Sequence, residues 1–224
     1  MNVSYYRSSK AGPEAILETT VAENLHSIMG TNGDFWAAAS PQIGAGLPDI
    51  LVASFRPEIV VLSKTEMPNA DILAYLRAVG KAKLDTITNR LRLPRELIIR
   101  SLNDLIKSNI VFQGTNTFSL YPEWKNILPE IIAIEVKVDK WRKAIDQAAR
   151  NQIFAHKSYI ALPSTIALRI RNEPFIRELG IGVLSVKQDK GIEVIRRSRR
   201  KNPRVWRYYY EIASLVAGYC CKSK

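Results

Sequence analysis

A chain of 224 residues with 46% apolar side chains and a formal charge of +12 can bury a real core, which excludes wholesale disorder and points to a polyanionic partner. Its longest apolar stretches, around 131–134 and 214–221, fall far short of the roughly 20 residues of a membrane span, and the first residues lack the apolar core of a signal peptide, so no membrane and a cytoplasmic location are expected. Two adjacent cysteines, Cys220 and Cys221, and two histidines, His26 and His156, exclude a disulfide framework, zinc quartets and histidine-rich metal sites.

Along the chain, Gly12-Pro13 opens a helical pattern with Leu17, Val21, Leu25 and Ile28 on one face, and the GTNG at 30–33 ends it. After a short strand at 35–37, the Gly- and Pro-containing turn at 44–48 feeds a mostly buried strand from Asp49 to Ser54. Residues 67–124 have a different texture. Asn69 or Asp71 caps a helix through about Val79, which Gly80 stops, and a second helix spans about 84–91. Pro94 starts a third, to about 108, with Leu97, Ile98, Leu102, Leu105 and Ile106 as its buried stripe. Two short strands around 114–116 follow. Three short helices and a β-hairpin are the layout of a winged helix, and the match extends to the hydrophobic spacing, the second-to-third helix linker and the wing length.

Residues 131–138 (IIAIEVKV) form the clearest strand. A helix at 139–156, a strand at 159–162, a helix at 165–178 and strands at 181–186 and 192–196 follow, an order that argues for an α/β core with parallel neighbours. His156 is expected at a helix end, where a cation favours the dipole. The aromatic and apolar residues after Arg204, among them Trp206 and Tyr208 to Tyr210, mean that folded structure resumes there as a strand or helix on the core.

The charge is unevenly spread. Residues 1–59 are net −3, 60–124 net +3, 125–189 net +4 and 190–224 net +8. The run at 196–204 places Arg196, Arg197, Arg199, Arg200, Lys201 and Arg204 within nine residues, as phosphate-binding segments do; a solvated basic loop or tail is the plainer reading.

In IIAIEVKV side chains alternate between faces, which puts Glu135 and Lys137 on one side, about 7 Å apart, with Ile132, Ile134, Val136 and Val138 on the other. Charges among β-branched neighbours are expensive unless compensated. A same-face salt bridge is the ordinary explanation. Pro48-Asp49 at the head of a separate apolar strand, then Glu-x-Lys inside a second one, then an amphipathic helix resemble the PD-(D/E)xK nuclease superfamily, which includes many restriction enzymes and the archaeal Holliday-junction resolvases. Asp49 and Glu135 lie 86 residues apart, wider than the family's habit; without the 58 residues of 67–124 the gap is 28, within it. The departure therefore reads as an insertion between two core strands.

The resemblance implies a restriction-endonuclease-like α/β fold, a mixed central sheet flanked by helices, split as 1–66 and 125–224 around an inserted winged helix at 67–124. It implies that Asp49 and Glu135 hold Mg²⁺, or Mn²⁺ in its place, with the Val136 carbonyl completing the shell. Such an ion acts as Lewis acid and activates a water, while Lys137 orients that water and offsets charge on the phosphorus. By the same resemblance Glu14 or Glu18 approaches the metal from the first helix and Gln147 touches the site from the helix after the strand. Lys143, Gln147 and Arg150 share a stripe there, although an exposed polar face explains Lys143 and Arg150 equally well.

If 67–124 is a winged helix, its third helix enters the major groove and presents Arg95, Arg100, Asn103 and Lys107, with Arg92 just before it. Glu96 and Asp104 share that surface, so a protein-contacting module is the competing reading. The function expected is Mg²⁺-dependent endonucleolytic hydrolysis of DNA, most simply duplex; cutting both strands implies two active sites, hence a homodimer or a partner subunit. The alternatives are a non-catalytic DNA-binding or regulatory protein on a nuclease fold, and a nuclease subunit of a larger defence, recombination or transposition complex.

Overall fold

The computed structural model describes residues 11–29, 34–43, 46–64, 69–187 and 191–222. The turn expected at 30–33 and the first two residues of the turn at 44–48 lie outside them. The chain divides into two compact units, each described here by itself: one takes the chain up to Ser54 together with Glu130–Arg204, the other Phe55–Pro129 and the chain from Val205 onward.

The first unit is a mixed α/β layer structure. Its sheet has six strands, β1 (Phe35–Ala39), β2 (Ile50–Ser54), β6 (Glu130–Val136), β7 (Lys157–Pro163), β8 (Gly182–Val186) and β9 (Ile192–Arg196), in that spatial order. β6–β7–β8 run parallel, as strand–helix–strand order requires, and β1–β2–β6 and β8–β9 pair antiparallel. Helices cover both faces. On one, α1 (Pro13–Glu23) and α2 (Leu25–Met29) bring Val21, Leu25 and Ile28 onto Ile50, Val52, Ile132, Ile134 and Val136. On the other, α6 (Trp141–Asn151), α7 (Ser164–Ile170) and α8 (Pro174–Leu179) bring Ala144, Ile145, Ala148, Ile170 and Ile176 onto Ile160, Leu162 and Val183. β6 is therefore buried on both faces, which is why 131–134 reads as a continuous hydrophobic run and Glu135 stands out within it.

Three expected helices are shorter than their patterns. The first breaks at Asn24, whose backbone N–H caps back to the Val21 carbonyl. The helix at 165–178 is cut in two by Pro174, which starts α8. The helix at 139–156 ends at Asn151, so His156 is no helix-end cation: its Nδ1 accepts a hydrogen bond from the Ile131 N–H (3.0 Å), a role that an imidazolium cannot fill.

The second unit holds α3 (Asn69–Val79), β3 (Lys81–Ala82), α4 (Leu84–Leu91), α5 (Arg95–Lys107), β4 (Val111–Gln113) and β5 (Phe118–Leu120), with the strands in the order β3–β5–β4. Ile98, Leu102 and Leu105 of α5 are buried, and Leu97 and Ile106 half-buried. The unit also contains α9 (Trp206–Lys222), and the boundaries of the two units fall at Ser54, Glu130 and Arg204, against the expected 66 and 124. α9 buries Tyr209, Tyr210, Ile212, Ala213, Val216 and Ala217, and it is α3 and the 3-10 helix Pro57–Lys64 that cover them. The Arg77 guanidinium lies 3.6 Å from the Trp206 ring centroid, the Tyr210 hydroxyl donates to the Trp124 carbonyl (3.0 Å), and Arg207 pairs with Asp71.

Candidate active site

β2 and β6 pair from Ser54↔Glu130 to Ile50↔Ile134. One step further along the same register, Asp49 stands opposite Glu135, so antiparallel pairing alone closes the 86-residue gap. The second unit's Phe55–Pro129 leaves and returns at the far end of the pair, where Ser54 and Glu130 are partners. An insertion there leaves the strand pairing untouched.

Asp49, Glu135 and Lys137 are 7%, 1% and 8% exposed, three buried charges at one strand end. The Val136 N–H donates to Asp49 Oδ2 (2.8 Å) and so does Lys137 Nζ (3.0 Å); Nζ also donates to the Val136 carbonyl (2.8 Å). Glu135 and Lys137 lean toward different helices. Asn151 Nδ2 of α6 donates to Glu135 Oε1 (2.7 Å), whereas Lys137 Nζ lies 3.7 Å from Glu14 Oε2 on α1. Glu135 Oε2 is buried and receives no hydrogen bond among the described residues. Burial, and then the Asp49 charge, push the Glu135 carboxyl from its usual 4.5 to about 7, against the opposing pull of Asn151 and Lys137.

Glu135 opens onto a pocket of about 200 Å³ lined also by Gly46, Leu47, Gln147, Arg150 and Asn151. Gln147 and Arg150 thus stand where their helical stripe suggested, while Lys143 is exposed and outside the lining. Gln147 Oε1 is buried and has no hydrogen bond among the described residues. Glu18 is buried one turn beyond Glu14 on α1, and Glu14 is the one that reaches Lys137. Asn151 was missed from sequence, yet its signal was present: it follows Gln147 by one helical turn. Among the described residues no group of three or more His, Cys, Asp or Glu side chains gathers as a metal cluster.

The basic run is not a loose loop. From β9 to Arg204 it is strapped along the first unit: Arg199 N–H donates to the Gly180 carbonyl (2.9 Å), Lys201 N–H to His156 (2.9 Å) and Arg204 N–H to Ile153 (2.9 Å). Gly180, in a left-handed conformation (φ 68°) at the end of α8, lies so close to Arg199 that a Cβ there would sit 2.9 Å from the arginine's own. Lys201 turns inward, its Nζ donating to Gln152 Oε1 and to the Leu179 carbonyl (2.8 Å each); burial first, then Arg204 and Arg199, lower its pKa. Arg200 pairs with Glu130 (3.3 Å), Arg196 is half-buried in β9, and Arg197, Arg199 and Arg204 are exposed. In the second unit Arg92, Arg95, Arg100, Asn103 and Lys107 are all exposed, with Arg95 paired to Asp85 of α4. Comparison with protein-family models, with curated proteins and with solved structures finds no match to this chain.

Proposed function

We propose that the chain is a metal-dependent DNA endonuclease, with a restriction-endonuclease-like core of PD-(D/E)xK type in the first unit and a winged helix in the second. The observation that carries the reading is the meeting of Asp49, Glu135 and Lys137, buried and mutually in reach, at the end of two adjacent strands. Three helices and a hairpin with a third short strand support the winged helix.

The donors suit a hard divalent cation. Two carboxylates, one of them with a buried oxygen that receives no hydrogen bond among the described residues, stand beside the Val136 carbonyl, and Mg²⁺ takes one or two carboxylates with oxygen ligands besides. Asp49 and Glu135 would hold Mg²⁺ or Mn²⁺, which supplies Lewis acidity at the phosphate and acidifies a water. Lys137 orients the attacking water and offsets charge at phosphorus. Asn151 holds Glu135 in place, and Gln147 and Arg150 meet the nucleotide entering the pocket. Arg197, Arg199 and Arg204 track the DNA backbone. α5 presents Arg100, Asn103 and Lys107 to a groove of the duplex. Cutting both strands would need a second site, in a homodimer or a partner subunit.

Purified protein with Mg²⁺ or Mn²⁺ should cut DNA, and Asp49→Ala or Lys137→Ala should lower cutting by about 1000-fold while binding persists. Binding without cleavage of duplex, branched or single-stranded DNA would overturn the reading and leave a DNA-binding protein.

A further inference from the structure

We propose that the Lys137 ammonium is the built-in counter-cation of the Asp49–Glu135 pair, and that a divalent ion enters the site by exchanging with it. This rests on the cation site proposed above.

Asp49 Oδ2 accepts two hydrogen bonds, from the Val136 N–H (2.8 Å) and from Lys137 Nζ (3.0 Å). A carboxylate oxygen has two lone pairs, so both are engaged. The Val136 carbonyl also accepts from Nζ (2.8 Å). The ammonium therefore bridges two of the oxygens that the endonuclease reading gives to the metal. A cation drawing on the same oxygens would stand against a second positive charge only a few ångströms away, a repulsion that neither burial nor solvent relieves there. For the ion to take Asp49 Oδ2 and the Val136 carbonyl, one donor must leave. The Val136 N–H is held by the strand and cannot, whereas the lysine ends a flexible four-carbon stem.

The lysine has somewhere to go. Glu14 Oε2 lies 3.7 Å from Nζ, and the Glu14 side chain is 41% exposed, against 10% for that of Lys137. Leaving Asp49 for Glu14 carries the ammonium outward to the better solvated carboxylate. Glu14 is thus the partner that receives Lys137 when the ion arrives, a role different from the metal ligand that the sequence resemblance implied. The charges agree. Once the arriving ion has displaced the Glu135 proton, Asp49, Glu135 and Glu14 against one ammonium leave net −2, which a divalent ion cancels and a monovalent one does not. The exchange also delivers Lys137 to the place where a nuclease needs it, beside the ion rather than within its ligands.

The test uses the full chain and Mn²⁺ alone, without DNA. Amine labelling with acetic anhydride, read residue by residue by mass spectrometry, should show Lys137 about five-fold or more reactive once Mn²⁺ is bound, because the ammonium leaves a buried position. Lys137→Met, with Lys137→Gln as a second variant should the first fold poorly, should bind Mn²⁺ about ten-fold or more tightly than wild type in a calorimetric titration. Unchanged Lys137 labelling under measured Mn²⁺ saturation, or Mn²⁺ affinity no higher in the folded variants, would overturn the exchange while the cation site stands. Absence of Mn²⁺ binding by wild type and variants alike would overturn the cation site and the exchange with it.

Discussion

In the first unit Asp49, Glu135 and Lys137 are each more than nine-tenths buried, whereas in the second Arg92, Arg95, Arg100, Asn103 and Lys107 all stand on the surface. An exposed charge costs the fold almost nothing and is free to meet a partner. A buried charge costs several kcal/mol and persists only where neighbours compensate it, here a backbone N–H, a carbonyl and Asn151. The two arrangements suit different work: chemistry for groups held in a buried network, affinity for groups that stand in water.

The sharpest way to break that contrast is to remove the buried charge while keeping its shape. Burial, and then the Asp49 charge, push the folded Glu135 carboxyl up to about 7 from an ordinary 4.5. Between those values the folded chain holds a proton that the unfolded chain has lost. The group's contribution to stability is then fully present below pH 4.5 and is lost as the pH rises through 7. Wild type should lose on the order of 3 kcal/mol across this window from this group, and Glu135→Gln should not. Urea unfolding at a series of pH values reads the difference directly. Above pH 7 the variant should be the more stable protein and the less active one, the trade expected of a functional carboxylate. Equal slopes for the two proteins would mean that Glu135 carries no unusual charge.

A smaller effect separates amides of the two units. Asn151→Ala removes the hydrogen bond that its Nδ2 donates to Glu135 Oε1 and should weaken Mn²⁺ binding by about 10- to 100-fold, since groups that orient a ligand matter nearly as much as the ligand itself. Asn103→Ala, on the surface of α5, should leave Mn²⁺ affinity unchanged. Equal effects, or none at Asn151, would remove its positioning role.

What could be read from sequence follows the range of the forces involved. β6 was legible because apolar residues 131–134 are buried on both faces, and α4 was legible residue for residue because Pro94 and Gly80 punctuate its surroundings. The meeting of Asp49 with Glu135 depends on strand register across 86 residues, and the motif spacing hinted at it only once the insertion was subtracted. Where partners were distant, the reading failed. His156 looked like a helix-end cation until its Nδ1 met the Ile131 amide, and α9 announced by its apolar stripe that something covers it without saying that this is α3. A count of positive charges could not see that Lys201 hydrogen-bonds inward to Gln152 and Leu179.

That inward turn supplies the finest test of the comparison, because three cations of similar sequence texture now have different fates. Arg100 and Lys107 are exposed on α5, and if each meets a phosphate, Arg100→Ala and Lys107→Ala should each weaken duplex binding several-fold and lower the salt slope by about one. Lys201→Met should leave that slope unchanged and lower stability by about 1–2 kcal/mol, because its ammonium serves Gln152 Oε1 and the Leu179 carbonyl rather than solvent. Measuring binding across a salt series beside urea unfolding separates the two kinds of loss. If Lys201→Met lowers the slope while stability holds, the strap yields its lysine to DNA, and burial in this unit does not mark the limit of its binding surface. If Arg100→Ala and Lys107→Ala both leave the slope intact, α5 faces something other than phosphate, and the affinity must come from Arg197, Arg199 and Arg204 on the first unit.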